Sequence, residues 1–301
     1  MIGKGNDCLF PLYLPIEGYE EKLRVRCGRC ENCKMARARE WSLRLEMESK
    51  YWKDLCFVTL TYNDDNLPLN IIDGHLFFTD EEIEKNPELV YFSCPTLEPR
   101  HLCLFIKRLR KRLAFPCRYF AVGEYGTRRG RSHLHIMFFG VPYSIETARL
   151  IEKCWPYGFV RVDPFYPETC TYIAGYVQKK LYGDKKHFFR LPEFMRCSQH
   201  LGERWLMDNL SRFDDEHPYI VKEGFKYPLP RQFRKILVKL GRLSETSLIK
   251  TSLLQMEEYK DLCEDLRLKG ISLSEFWSHR IKTAQFRADR KLNKRNKTGD
   301  I

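Results

Sequence analysis

The sequence contains no apolar run that approaches the roughly 20 residues needed for a membrane-spanning helix. Its N-terminus, from Met1 to Asn6, lacks the apolar segment of a secretory signal peptide. Internal repeats, low-complexity segments and a Walker A motif are also missing. We therefore expect an intracellular protein with no membrane partner and no fused P-loop helicase.

Positive charge is what the chain has in excess. Lys and Arg number 52 against 40 Asp and Glu, which gives a formal net charge of +12. An excess of this size favours a polyanionic partner, most often nucleic acid. Because 43% of the 301 residues are apolar and 14% are aromatic, the chain can bury a core, which argues against wholesale disorder.

The apolar pattern predicts an α+β fold with a central antiparallel β-sheet flanked by helices. The predicted strands are 57–62, 118–125, 133–139 and 159–162, and the predicted helices are 31–50, 97–113, 144–154 and 169–181. We divide the chain into a cysteine-containing N-terminal segment and helix (1–50), a core (51–184), and a mainly helical basic accessory region (185–301).

Two histidines in one predicted strand form half of a candidate metal site. Because side chains alternate along a strand, His133 and His135 share one face. If 126–131 is a hairpin loop, Glu124 lies directly opposite His133 and projects on that same face. One carboxylate and two imidazoles suit Mg²⁺ or Mn²⁺ with open positions for a phosphate, and Zn²⁺ less well. The alternative is two half-exposed histidines beside an unrelated glutamate.

A predicted helix carries two tyrosines on one face. Tyr172 and Tyr176 are four residues apart, and Lys179 and Lys180 return toward that face one turn later. A phenol has a pKa near 10 and is a weak nucleophile, but a nearby ammonium group or a metal-polarised phosphate offsets that weakness. Packing of the tyrosines at the edge of the core, beside solvated lysines, is the alternative.

Four cysteines near the N-terminus form a candidate structural site. Cys27, Cys30 and Cys33 have CxxCxxC spacing, and Cys8 lies upstream. Four thiolates could close a tetrahedral Zn²⁺ site. An iron–sulfur cluster and buried free thiols are the alternatives, whereas an intracellular location argues against a disulfide framework.

Basic residues beside these motifs are candidate phosphate contacts. They are Arg128, Arg129 and Arg131 in the predicted turn, Lys180 after the tyrosines, and the basic stretches within 107–112, 185–190 and 280–297. Solvated charged faces are the alternative interpretation of each.

Three motifs in this order resemble those of HUH-type replication initiators, most closely those of microviruses, the gokushovirus-like single-stranded DNA phages. Phe57-Val-Thr-Leu-Thr-Tyr62 looks like the first motif, Glu124 with His133-Leu-His135 like the metal-binding motif, and Tyr172 to Lys179 like the two-tyrosine motif. The resemblance covers about residues 25–182. It departs from the family at Ser132, where Pro is frequent, and at Gly175, where Lys is common.

The resemblance implies that 51–184 is an HUH endonuclease core with an RRM-like palm. A metal held by Glu124, His133 and His135 would polarise the scissile phosphate, and a tyrosine would attack it. The products would be a 5′-phosphotyrosine link and a free 3′-OH, and the displaced strand would later be rejoined. Tyr176 is the preferred nucleophile because Lys179 follows it at Tyr-x-x-Lys spacing, whereas Tyr172 has no such lysine.

The same resemblance implies a rolling-circle replication initiator in the host bacterial cytoplasm, with single-stranded and origin DNA as partners together with a host helicase and polymerase. Two alternatives differ in class or context. One is a non-catalytic single-stranded nucleic-acid-binding protein with a structural zinc module, and the other is an HUH plasmid initiator or transposase. A covalent phosphotyrosine adduct would separate the enzyme from the non-catalytic binder.

Overall fold

The structure is a computed structural model that describes residues 8–15, 22–126, 129–176, 189–244, 257, 259–276, 278–279 and 282–283. The chain divides into two compact units, Leu45–Leu201 and the combination of Met1–Arg44 with Gly202–Ile301. None of the helices in these described ranges is long and apolar enough to cross a membrane.

Strands and helices alternate along the described chain. The strands are β1 (Leu12–Pro15), β2 (Lys22–Val25), β3 (Leu55–Thr61), β4 (Leu69–Asp73), β5 (Tyr91–Pro95), β6 (Arg118–Tyr125), β7 (Ser132–Phe139), β8 (Val160–Pro164), β9 (Phe194–Cys197), β10 (Tyr219–Lys222) and β11 (Phe225–Pro228). The helices are α1 (Glu31–Ser49), α2 (Asp80–Lys85), α3 (Pro99–Arg112), α4 (Ile145–Cys154), α5 (Pro167–Gly175), α6 (Glu203–Asp208) and α7 (Arg231–Lys239).

The unit Leu45–Leu201 is built on a five-stranded sheet in the order β8-β3-β7-β6-β9. Every neighbouring pair in it is antiparallel. In the β6–β7 hairpin Glu124 pairs with His133 and Tyr125 pairs with Ser132, which confirms the register expected from the loop length. The predicted α+β class, with a central antiparallel sheet and flanking helices, is confirmed.

One face of this sheet forms the main core. Leu134, Ile136 and Phe138 of β7 point into it and are fully buried. Apolar residues of α3 and α4 cover this face, namely Leu102, Phe105, Ile106, Leu109, Ile151 and Cys154. Because strand side chains alternate, the intervening residues of β7 point to the opposite face, where His133 and His135 lie.

Helix α3 illustrates how local sequence sets an element's start. The predicted helix 97–113 begins at Pro99, which suits the first helical position because it has no N–H to leave unpaired. The Glu98 carboxylate accepts a hydrogen bond from the Arg100 backbone N–H and caps this end. The apolar stripe of the helix then faces the sheet, as its spacing predicts.

The region after residue 185 contains more strand than the sequence pattern indicates. Its described part has the helices α6 and α7, and residues 259–268 are also helical. It also contains the β10–β11 hairpin and β9, which pairs with β6 at the sheet edge. With four residues, β9 is too short for an alternating pattern to reveal it, and its pairing comes from the open edge of β6.

We expect Phe138→Ala to lower the free energy of unfolding by about 3–5 kcal/mol, because it opens a cavity in a well-packed core. Phe138 is 0% exposed, and its ring lies 6.3 Å from that of Phe105. Phe159→Ala is the control, since Phe159 is 68% exposed and should change stability by no more than about 0.5 kcal/mol. Urea unfolding of both variants measures the difference, and equal midpoints would contradict this description of the core.

Candidate active site

Glu124, His133 and His135 converge on the sheet face opposite the main core. Glu124 Oε1 lies 2.9 Å from His133 Nε2 and 3.3 Å from His135 Nε2. One ligand atom from each residue lies within 4.8 Å of the other two. Neighbouring ligands of an octahedral ion with bonds of about 2.1 Å are about 3.0 Å apart, so this donor set fits a single divalent metal ion.

The opposite ring nitrogen of each histidine has a partner of its own. His133 Nδ1 lies 3.3 Å from the Arg131 carbonyl oxygen, which can only accept, so the proton of a neutral ring lies on Nδ1. His135 Nδ1 lies 3.1 Å from Thr59 Oγ1. With Nδ1 engaged in both rings, the Nε2 lone pairs are left for a metal, the usual arrangement of metal-binding histidines.

Thr59 is a site residue that the sequence motifs did not single out. It lies in the Phe57–Tyr62 strand motif and pairs directly with His135 across the β3–β7 ladder. Its hydroxyl therefore projects on the face that carries the histidines. The signal was present in the sequence as a threonine in that motif, but using it requires knowing that β3 is the neighbour of β7.

Aromatic rings enclose His135. The Phe57 ring stacks on it with centroids 5.5 Å apart, and the Tyr176 ring stacks on it at 4.9 Å with planes 15° apart. Tyr172 meets the Phe57 ring edge-on at 5.8 Å. These contacts, together with the Thr59 hydrogen bond, hold the His135 imidazole in one orientation on a rigid strand.

Helix α5 brings both predicted tyrosines to the histidines. It starts at Pro167, and the Tyr166 backbone N–H donates to Thr169 Oγ1 at 3.1 Å. Tyr176 follows the last residue of α5 with helical backbone angles, so it stays on the same face as Tyr172. The two rings are 5.1 Å apart, and the Tyr176 hydroxyl donates a hydrogen bond to the Tyr172 hydroxyl.

Two other tyrosines near the site have structural partners. The Tyr125 hydroxyl donates to the Leu191 carbonyl at 2.6 Å and accepts from the Leu97 backbone N–H at 3.0 Å. Burial raises the pKa of Tyr125. Burial and the Glu98 carboxylate also raise the pKa of Tyr62. Both phenols therefore stay protonated, which distinguishes them from candidate nucleophiles.

The basic turn divides into residues with different surroundings. Arg131 Nη1 lies 2.5 Å from Asp64 Oδ1, and its Nη2 donates to the Tyr62 carbonyl at 2.9 Å. Arg131 thus ties β7 to the loop after β3, and a phosphate would have to compete with Asp64. Arg129 is exposed, whereas Arg128 lies outside the described residues.

The remaining predicted site residues lie elsewhere. Lys179 and Lys180 fall outside the described part of the chain. Cys8, Cys27, Cys30 and Cys33 come together in the other compact unit, with all four sulfur atoms within 4.8 Å of one another.

We expect Thr59→Val to weaken Mn²⁺ binding about 10–100-fold, because it removes the hydrogen-bond partner that orients His135. Thr61→Val is the matched control, since the Thr61 hydroxyl points to the Phe159 carbonyl at 3.5 Å rather than to an imidazole in the described contacts. Mn²⁺ titration followed by electron paramagnetic resonance measures both. Equal affinities for the two variants would contradict an orienting role for Thr59.

The sequence matches known replication proteins over the region that contains this site. A family profile described as replication-associated protein ORF2 matches residues 55–181. The replication-associated protein ORF2 of Spiroplasma virus 4 is 30% identical over 231 residues, which cover 69% of this chain and 66% of the relative. Glu124, both histidines and both tyrosines lie within the profile match.

Two further relatives carry similar names. The replication-associated protein ORF4 of Chlamydia phage 1 is 27% identical over 254 residues, covering 75% of this chain and 57% of the relative. The replication-associated protein VP4 of Bdellovibrio phage phiMH2K is 25% identical over 232 residues, covering 69% and 65%. The matched part of the chain thus spans between 57% and 66% of the length of these curated relatives.

Among solved structures, the N-terminal nuclease domain of minute virus of mice non-structural protein 1 is 11% identical, with a TM-score of 0.23, over 59% of this chain and 84% of that one. A TM-score this low carries no argument about fold or function. The family profile and the three phage relatives identify the chain: it belongs to the family of phage replication-associated proteins.

Proposed function

We propose that this chain initiates rolling-circle replication of a phage genome as an HUH endonuclease that nicks one DNA strand at the origin and later rejoins the displaced strand. The observation that supports this most directly is the stacking of Tyr176 on His135 at 4.9 Å. It puts a phenol beside three residues able to hold a metal, which is the combination that tyrosine transesterification requires.

Glu124, His133 and His135 are the proposed ligands of Mg²⁺ or Mn²⁺. When bound there, the metal supplies a Lewis acid that polarises the scissile phosphate. The protein's own contribution is positional. The sheet fixes three ligands, Thr59 and the Arg131 carbonyl orient the two imidazoles, and α5 presents the tyrosines from the adjacent side. Phosphoryl transfer depends mainly on such positioning and charge stabilisation.

Tyr176 is the proposed nucleophile. Its phenolate oxygen bonds to phosphorus while the bond from phosphorus to the 3′ oxygen breaks, leaving a 5′-phosphotyrosine and a 3′-OH. The phenol proton leaves to solvent, and the departing 3′ oxygen takes one up. The Tyr172 hydroxyl, already hydrogen-bonded to Tyr176, can donate to the phenolate and favour it. Lys179 is proposed to add positive charge beside it.

Tyr172 is the proposed second nucleophile. After replication regenerates the origin, its attack would cleave the new junction, and the free 3′-OH would then displace Tyr176 from phosphorus to circularise the strand. Each step exchanges one phosphodiester for another, so the reaction needs no external energy source. Two tyrosines within one hydrogen bond of each other allow both exchanges at one metal site.

Recognition of DNA is proposed for the basic residues around this site. Arg128, Arg129, Arg131 and Lys180 would contact backbone phosphates, which position a strand without specifying its sequence. We propose 51–184 as the nuclease core and 185–301 as a basic accessory region. The proposed setting is the host bacterial cytoplasm, where a host helicase and polymerase would extend the free 3′-OH.

Trapping of a covalent adduct tests the reaction. Labelled single-stranded oligonucleotides that tile both strands of the encoding phage genome are incubated with the full chain and Mn²⁺, then separated on a denaturing gel. We expect an adduct with one origin segment, none with Tyr176→Phe, and slower formation with Tyr172→Phe. Tyr143→Phe is the matched control, because Tyr143 is 56% exposed. His135→Ala should lower the rate about 100-fold or more, since several kcal/mol of charge stabilisation are lost.

Two outcomes would contradict the proposal. Wild-type protein that binds the oligonucleotides without forming an adduct on any of them would favour the non-catalytic single-stranded nucleic-acid-binding protein. An adduct that survives in the Tyr172→Phe, Tyr176→Phe double variant would show that another residue is the nucleophile. The exposed His75→Ala variant controls for loss of a histidine as such.

A further inference from the structure

The four N-terminal cysteines lie in the unit that does not contain the nuclease site. Strands β1 and β2 form an antiparallel hairpin in which Leu12 pairs with Val25. Cys8, four residues before Leu12, is thereby brought to the turn that follows β2, which holds Cys27 and Cys30. Cys33 joins them from the first turn of α1.

The spacing of the sulfur atoms fits one metal ion. Cys8 Sγ lies 3.9 Å from Cys30 Sγ, and Cys27 Sγ lies 3.9 Å from Cys33 Sγ. A tetrahedral ion with Zn–S bonds of about 2.3 Å places its sulfurs about 3.8 Å apart. A disulfide needs about 2.05 Å, so these pairs are unbonded. An iron–sulfur cluster distributes its thiolates over several irons, which requires sulfurs farther apart than this.

Backbone N–H groups converge on the same sulfurs. The Cys27 N–H donates to Cys8 Sγ at 3.2 Å, and the N–H groups of Arg29 and Cys30 both donate to Cys27 Sγ at 3.4 Å. The Leu9 N–H donates to Cys30 Sγ at 3.5 Å. Gly28 has a φ of +76°, a conformation that glycine adopts without strain and that turns the chain between the ligands. Such donors favour a thiolate over a thiol.

Hydrophobic packing gives little reason for the cluster by itself. Among the described residues, its buried members are Cys8, Leu9, Cys30 and Cys33, with Cys27 half-buried against them. One leucine and four small thiols bury little apolar area, and small units with little core commonly rely on a metal for their stability. The arrangement has the ligands and the supporting hydrogen bonds of a metal site rather than the composition of a core.

We propose that Cys8, Cys27, Cys30 and Cys33 bind one structural Zn²⁺ as four thiolates, and that this ion fixes the β1–β2 hairpin to the start of α1. Binding would release the thiol protons to solvent. Because all four positions of a tetrahedral ion are filled by protein, the site would be structural rather than catalytic. This inference does not depend on the proposed nickase activity.

Metal analysis of the full chain tests the proposal. The His133→Ala, His135→Ala double variant serves as the background, so that metal at the nuclease site does not contribute. After dialysis we expect one zinc per chain by mass spectrometry of the elements. In the same background, Cys30→Ser should lose the zinc, whereas Cys103→Ser should keep it because Cys103 is an exposed free cysteine.

Two further variants keep the test decisive if Cys30→Ser fails to fold. Cys27 is the most exposed of the four ligands, so Cys27→His should retain one zinc whereas Cys27→Ser should lose it or bind it at least tenfold more weakly. Co²⁺ exchanged into the background protein should give the visible absorption of a tetrahedral thiolate site, absent in Cys27→Ser. These readouts report the ligands themselves and not activity.

Several results would overturn the inference. Iron in place of zinc would assign a different metal, and no metal at all, with unchanged stability in chelator, would leave the cysteines as buried thiols. Loss of zinc from Cys103→Ser would show that the metal is bound elsewhere. Failure of the Tyr176 adduct assay would leave this result untouched, since zinc content is measured in a background that lacks the nuclease histidines.

Discussion

The candidate active site depends on the register of the β6–β7 hairpin. Because side chains alternate along a strand, a slip of one residue would turn Glu124 away from the histidines and place it against the apolar core. The loop holds the register through hydrogen bonds from the Gly126 N–H to the Arg131 carbonyl and from the Gly130 N–H to the Gly126 carbonyl. Pairing with β3 on one side and β9 on the other holds the hairpin within the sheet.

Burial makes this polar cluster interdependent. Glu124 is 4% exposed, and a carboxylate so far from water is costly unless partners compensate its charge. Here the compensating groups are the two Nε2 atoms within 3.3 Å. The imidazoles are in turn held by Thr59 and by the Arg131 carbonyl. The apolar face of the sheet supplies the stability that lets the opposite face carry this cluster, so core and site are two consequences of one alternating pattern.

Local patterns predicted most of this arrangement, and non-local pairing accounts for what they missed. The bounds of α3, β6 and β7 followed from periodicity within two residues, and the loop length predicted the partner of Glu124. The role of Thr59 requires knowing that β3 lies beside β7, and β9 is defined by the edge it joins. Likewise, cysteine spacing indicated a metal site, but the β1–β2 hairpin that brings Cys8 to it had no sequence signal.

The hydrogen bond between the two phenols makes Tyr172 and Tyr176 unequal in the proposed reaction. When one of them ionises, the other must keep its proton to stabilise the phenolate, so the pair titrates as a unit and both do not act at once. Once Tyr176 is esterified to phosphate, it can no longer donate, and Tyr172 is released from its role as partner. A pair of this kind provides an order of use at a single metal site without a second set of ligands.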